Sequence, residues 1–255
     1  MEKKINLSIG LAVFNEEKNL ENCLSSLKDM ADEIVMVDGG STDNTVKIAE
    51  NFKAKIINSD NPPIFHINKQ KAVEACKGAW ILQLDADEVV DSKLKSEIEN
   101  IIKGKEVHNG YYIPRKNYFL GKWLKKGGQY PDYVIRLFKN GYGKFPAKSV
   151  HEQICIDGTV GYLKNPLLHY PYSSLREYWI KANRYRLLLS EELKAEGVAK
   201  DAVMFLKYMI VKPVSTFLNM SLRHKGILDG FYGLLFAFLS SLQYPLAYWK
   251  YAYGK

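Results

Sequence analysis

The stretch AWILQLDADEVV, residues 79–90, runs from four apolar side chains (Trp80, Ile81, Leu82, Leu84) into three carboxylates, Asp85, Asp87 and Glu88. Two aspartates separated by one residue can face a single site if the alternation of a strand continues through them. Their hard oxygens suit Mg²⁺ or Mn²⁺, ions that keep water and substrate phosphate as further ligands. A D-x-D alone is equally a solvated turn, so the rest of the chain has to decide. In VDGGSTDNT, Asp38 closes another apolar run, and Gly39-Gly40 let a ligand come close to the backbone. A carboxylate there can accept an N–H from a base such as uracil. The spacing is not that of a dinucleotide G-x-G-x-x-G, and it follows the second apolar run, not the first.

The elements that must position these residues alternate in type. INLSIGLAV (5–13) reads as a buried strand, followed by a helix with Asn15 as N-cap and Leu20, Leu24 and Leu27 on one stripe. EIVMVD (33–38) is a second strand, and a helix capped by Ser41 or Thr42 follows. AKIIN (54–58) is a third strand, and residues 67–78 form a helix with Gly78 as its C′ residue. AWILQLD is the fourth strand, after which Glu88 is expected in the first turn of the next helix, favoured by its dipole. Such alternation predicts an α/β fold with a mostly parallel sheet of βαβ units. Ligands bind beyond the carboxyl ends of such strands, so Asn15, Glu16, Asp38, Asp85 and Asp87 fall on one edge.

Residues 105–172 change character, with short β-like runs and the turn signals NG at 140–141 and DG at 157–158. A mixed-sheet half carrying acceptor-side loops is expected there, giving a domain of 1–172 divided into 1–104 and 105–172. From 173 to 255 the chain reads as helical, starting at a Ser173 or Ser174 cap with a stop at Gly197.

Composition narrows the classes. With 47% apolar residues the chain can build a core, which excludes general disorder. Three cysteines at 23, 76 and 155 form neither a disulfide framework nor a short-spaced metal pattern, and a reducing cytoplasm fits them. The first seventeen residues hold too short an apolar run for a signal peptide. The net charge of +8 is concentrated: residues 203–255 carry six Lys/Arg against one acid, Asp229. Between Asp229 and Lys250 lie twenty uncharged residues, just long enough to span a membrane but interrupted by glycines, Pro245, Gln243 and serines. Basic and aromatic residues on such helices favour a peripheral place at the membrane surface, with packing on the catalytic domain or a homo-oligomer, and a true span, as the alternatives. Charge confined to one apolar end argues against nucleic acid as the partner.

The three segments AVFNEEKNLENCLSSL, EIVMVDGGSTDNT and GAWILQLDADE, in this order, resemble the family 2 glycosyltransferases, whose GT-A fold binds nucleotide-sugars. DYVIRLFKN, VHE and LLHYPY continue the likeness in the manner of the lipopolysaccharide-core β-glucosyltransferase branch. The resemblance implies a Rossmann-like sheet with helices on both faces, a mixed-sheet acceptor segment and a helical C-terminal appendage. It implies that Phe14, Asn15, Glu16, Asp38, Gly39, Lys69, Asp85 and Ala86 bind the donor, with Asp38 reading uracil and Lys69 near the diphosphate. It also implies a Mn²⁺ or Mg²⁺ site at Asp85 and Asp87, with His169 in the position of the late histidine that completes such a site. A buried core histidine is the other reading of His169. Gly39 stands where the family more often has Ser.

Loss of a nucleoside diphosphate leaves an oxocarbenium-like anomeric carbon, and an acceptor hydroxyl attacking from the opposite face must surrender its proton to a carboxylate. The resemblance likewise implies inversion. Glu152 follows the glycine-containing loop NGYGKFPAKSVHE as the family order requires, and Asp132 is its rival. His151 reads as a polar neighbour, and Arg136 as a phosphate contact or a salt-bridged strand arginine. The resulting expectation is a metal-dependent inverting transferase, using a UDP-linked sugar and a cell-envelope glycan or lipid-linked acceptor. A non-catalytic nucleotide-sugar-binding subunit of the same fold is the alternative.

Overall fold

The computed structural model describes residues 5–62, 64–104, 107–146 and 153–254. The chain divides into two compact units, one of residues 1–115 and 133–169, the other of 116–132 and 170–255.

The first unit opens with β1 (Leu7–Val13), α1 (Leu20–Ser26), β2 (Glu33–Asp38), α2 (Thr45–Asn51), β3 (Lys55–Asn58), α3 (His66–Ala75) and β4 (Trp80–Leu84). Then come β5 (Glu88–Val89), α4 (Ser92–Lys103) and β6 (Gly110–Phe119). After β7 (Lys122–Trp123), the strands β8 (Asp132–Lys139), β9 (Gly143–Lys144), β10 (Cys155–Ile156), β11 (Val160–Tyr162) and β12 (Leu167–Tyr172) complete the β structure. The sheet order is β3-β2-β1-β4-β8-β6-β12-β5. Its first four strands are parallel, while β8 joins β4 antiparallel.

Period-two alternation sorts the side chains onto two faces. Leu7, Ile9, Leu11 and Val13 of β1 share a core with Leu20, Cys23 and Leu24 of α1 and Leu94 and Ile98 of α4. Val35 and Ile81, of opposite phase, pack with Val73 and Cys76 of α3. Helices therefore cover both faces of the parallel strands, as an α/β sheet buried on both sides requires.

Several local expectations shift. Asn15 is not an N-cap, because α1 starts five residues later. Gly78 is not a helix terminator either: α3 ends at Ala75. A Cβ on Gly78 would stand 2.6 Å from the Ser8 amide nitrogen, so close approach to β1 sets its identity. Glu88 lies in β5, and α4 is capped instead by Asp91, whose carboxylate accepts from the Leu94 N–H at 2.8 Å. The turn signal at 140–141 is realised, with Gly141 at φ +85°.

The second unit holds α5 (Leu175–Ala195), α6 (Ala202–Leu206), α7 (Lys212–Leu218), α8 (Gly230–Ser241) and α9 (Gln243–Tyr253). Ser174 caps α5 by accepting from the Glu177 N–H, and Gly197 follows in the left-handed region at φ +62°. The boundary expected at 172/173 differs from the one observed, because residues 116–132 group with these helices. The physical reason is a shared core of Phe119, Leu124, Tyr178, Ala182 and Leu239. The apolar stretch 230–249 is two helices that meet at Leu242. By length and composition alone, the helical run 226–253 could cross a membrane.

Candidate active site

Strand register brings three loops together. Val13 pairs with Asp38 and Leu11 with Leu84, so the segments leaving β1, β2 and β4 emerge side by side. The first two are laced to each other. Asn15, at φ +54°, donates its backbone N–H to Ser41 Oγ (2.9 Å), and its Oδ1 accepts from the Thr42 N–H (2.8 Å). The Glu16 N–H donates to Thr45 Oγ1 (2.8 Å), and the Glu16 carboxylate accepts from Asn19 Nδ2 (2.8 Å). Phe14 is partly exposed on the same edge.

Asp38 is buried and accepts from the N–H groups of Gly40 (3.1 Å) and Ser41 (2.9 Å) and from Ser41 Oγ (2.5 Å). A carboxylate offers about four acceptor positions, so the loop leaves roughly one for a ligand N–H. Gly39 is crowded: a Cβ there would lie 3.3 Å from the Val13 carbonyl oxygen and 3.3 Å from Asn61 Cβ. The missing Ser hydroxyl thus coincides with a position where any side chain is tight.

The end of β4 is a charge network. Asp85 Oδ1 pairs with Lys69 Nζ at 2.5 Å and its Oδ2 with Arg136 Nη2 at 2.5 Å. The same Nη2 donates to Glu88 Oε1 (2.7 Å), Arg136 Nη1 donates to Gln83 Oε1, and Arg115 Nη1 stands 3.7 Å from Glu88 Oε1. Glu88 is wholly buried, and its Oε2 accepts from the Asp85 N–H (2.9 Å). Burial alone would raise the Asp85 carboxyl, but Arg136 and then Lys69 outweigh it and hold it well below the usual carboxylate range. Burial pulls the Lys69 ammonium down, against the attraction of Asp85. The Arg136 guanidinium is driven up by Asp85 and Glu88 although burial opposes it.

Ala86 is buried in the core beneath the turn, which anchors the backbone between the two aspartates. Beneath it the Cys23 thiol faces the Asp85 carbonyl at 3.7 Å, its pKa raised by burial and then by the surrounding acids. Asp87 stands beside a histidine. Its Oδ1 lies 3.5 Å from Nε2 of His169, which β12 places opposite Glu88 in the β5 ladder. Burial lowers the His169 imidazole and Asp87 raises it, with burial the larger effect.

The expected three-ligand metal set is therefore divided. Asp85 has both oxygens engaged by cations, while Asp87 and His169 face each other. Among the described residues no cluster of three or more His, Cys, Asp or Glu could hold a metal ion. Two protein ligands are nevertheless enough for Mg²⁺ or Mn²⁺ that keep water and phosphate oxygens. Two ligand atoms at right angles on such an ion are about 3 Å apart, given bonds of about 2.1 Å. The Asp87–His169 pair fits that requirement, and Asp85 as found does not.

Of the remaining candidates, Glu152 and His151 lie outside the described residues. Asp132, in the second unit, accepts from Asn117 Nδ2 at 3.0 Å. Arg136 takes the salt-bridged reading. Gln83 and Arg115 were not singled out by the sequence, and Glu88 was placed at a helix start; the one signal for the pair was a glutamine inside the apolar run WILQLD.

Residues 8–170 match the family model for glycosyl transferase family 2. The lipopolysaccharide core biosynthesis glycosyltransferase LpsC of Rhizobium meliloti is 28% identical over 260 residues, 93% of this chain and 91% of that protein. An uncharacterised glycosyltransferase of Rickettsia bellii is 26% identical over 80% of this chain and 73% of its own length. Among solved structures, S. aureus TarS 1–349 in complex with UDP covers 88% of this chain and 74% of its own, at 17% identity and a TM-score of 0.49. A parallel sheet with acidic loops at its carboxyl edge, matched by the family model over well over half its length, makes this chain a member of glycosyl transferase family 2.

Proposed function

We propose that the enzyme transfers a sugar, with inversion, from a UDP-linked donor to a hydroxyl of a cell-envelope glycan or lipid-linked acceptor, using Mn²⁺ or Mg²⁺. The observation that carries the reading is the enclosed Asp87–His169 pair beside the Lys69–Asp85–Arg136 network. A bound divalent cation would be held by Asp87 and His169 and would neutralise charge gathering on the departing diphosphate. Asp38 offers its remaining acceptor position to the imide N–H of uracil. Asn15 and Glu16 hold the neighbouring loop in register with it. Asp85 orients Lys69, whose ammonium adds positive charge on the diphosphate side. A carboxylate takes the acceptor proton, Glu152 in the first place and Asp132 as its rival. The envelope acceptor is supported by the name of the LpsC relative. The free thiols Cys23, Cys76 and Cys155 fit a reducing cytoplasm.

The test is release of UDP from a panel of UDP-, GDP- and dTDP-sugars with Mn²⁺ or EDTA, with the product anomer read by NMR. Retention of configuration, or full turnover in EDTA, refutes the proposal. Glu152→Gln should abolish transfer and leave donor binding intact; full activity in that variant promotes Asp132.

A further inference from the structure

In the second unit, residues 202–223 form one unbroken helical run in which α6 and α7 alternate with π-helical turns at Lys207–Val211 and Asn219–Arg223. Leu206, Ile210, Val214, Leu218 and Leu222 recur every fourth residue along it, each between 46% and 60% exposed. In a pure α-helix a four-residue step overshoots a full turn by about 40°, so five such residues would wind around the axis. A π turn rotates less per residue and takes that drift back. The alternation of the two therefore keeps the five side chains on one line. Just beyond, Leu228 and Phe231 are 68% and 71% exposed.

Apart from Asp201, which caps the start of the run by accepting from the Met204 N–H, the charge along this stripe is positive. Lys207, Arg223 and Lys225 are exposed on or beside it, and Asp229 is the sole acid from 203 to 255. Asp229 is itself engaged, accepting from the Lys126 N–H at 2.7 Å. A second copy would bring the same positive charge to the same face, setting like charges together. An anionic lipid surface offers both what the stripe lacks, an apolar layer, and what its cations attract.

We infer that the enzyme docks on anionic phospholipid through the 202–223 helix and the 227–231 turn, lying in the interface and not crossing it. The contact centres on the 202–223 stripe; of the apolar 230–249 stretch, Gly233, Ala237, Leu239, Ala247 and Tyr248 are buried within the unit, while Phe231, Phe238 and Trp249 are exposed. It does not depend on the transfer reaction proposed above.

The test is co-sedimentation of the full chain with vesicles of phosphatidylcholine alone or mixed with phosphatidylglycerol. The wild type should bind the mixed vesicles more tightly, and salt should weaken that binding. Ile210→Glu with Leu218→Glu should weaken binding to the mixed vesicles about tenfold or more, since each leucine-sized contact is comparable to that. Lys207→Gln with Arg223→Gln, which leaves the stripe intact, should lose on the order of 25-fold on mixed vesicles, about fivefold per charge, and nothing on phosphatidylcholine. Circular dichroism and donor hydrolysis report that each variant is folded, and if the apolar pair misfolds the charge pair decides. Three results overturn the inference. One is vesicle binding that is absent in the wild type or unaltered in both variants. Another is a wild-type dimer by light scattering that the apolar pair converts to monomer. The third is resistance to carbonate extraction, which would make 226–253 a span.

Discussion

Replacing Arg136 by Met keeps an unbranched chain of similar length and removes the guanidinium that joins β8 to the end of β4. In the wild type one nitrogen of that group serves two carboxylates, at 2.5 Å from Asp85 and 2.7 Å from Glu88, and the other meets Gln83. Glu88 has no exposed surface, so its charge cannot turn to water when the partner is lost. Breaking such a buried pair costs about 3–5 kcal/mol, because an uncompensated charge stays behind. Lys69 still faces Asp85 and Arg115 still approaches Glu88, which puts the expectation near the lower end. At about 2–4 °C per kcal/mol for a chain of this size, the melting temperature should fall by about 6–12 °C. The pH dependence gives a second readout. A carboxyl held below its unfolded value contributes stability that is present above about pH 4 and lost as pH falls. Asp85 is such a group. Arg136→Met should therefore lose most stability at neutral pH and show a shallower decline into acid than the wild type. Urea unfolding between pH 3 and pH 7 measures both, the lower and upper limits bracketing the usual carboxylate range of about 4. A loss below about 1 kcal/mol at neutral pH, or parallel acid limbs, would refute the assignment of Arg136 as the principal counter-charge.

Gly78→Ala places a methyl 2.6 Å from the Ser8 backbone nitrogen and 2.9 Å from the Trp80 carbonyl oxygen, and should cost about 1–3 kcal/mol by thermal melt. Asn15→Ala removes the acceptor of the Thr42 N–H and leaves a β-carbon in the left-handed region, so KM for the donor should rise while kcat changes less. Asp87→Asn should weaken stabilisation by Mn²⁺ in a thermal-shift titration about tenfold or more, whereas Asp132→Asn should leave that titration unchanged.

Much of the site's outline could be read from residue order. Short apolar runs located β1, β2 and β4, and strand–helix alternation put the residues after them on one edge of a parallel sheet. Asp38, Asp85 and Asp87 were placed at that edge in this way, and the glycine turn at 140–141 was read from its dipeptide. The errors share one cause. Asn15 looked like a helix cap because it is a polar residue before a leucine stripe, yet its partner, Thr42, is 27 residues away. Gly78 looked like a helix terminator, yet it is governed by Ser8 on a neighbouring strand. Glu88 looked like a solvent-side acid at a helix start. It is buried because β5 pairs with β12 and because Arg136, 48 residues on, reaches it.

Local pattern determines which face a side chain takes and which end of a strand it leaves, since both follow from backbone period alone. The amino-acid sequence therefore determined by itself the α/β order, the acidic edge and the concentration of positive charge in the last fifty residues. Only the tertiary structure decided what each carboxylate faces. Lys69 and Arg136 come to Asp85 from α3 and β8, and His169 comes to Asp87 from β12, through sheet register that no local window contains. Two aspartates separated by one residue thus meet different surroundings, Asp85 between Lys69 and Arg136 and Asp87 beside His169, because the strands and helices that reach them are different.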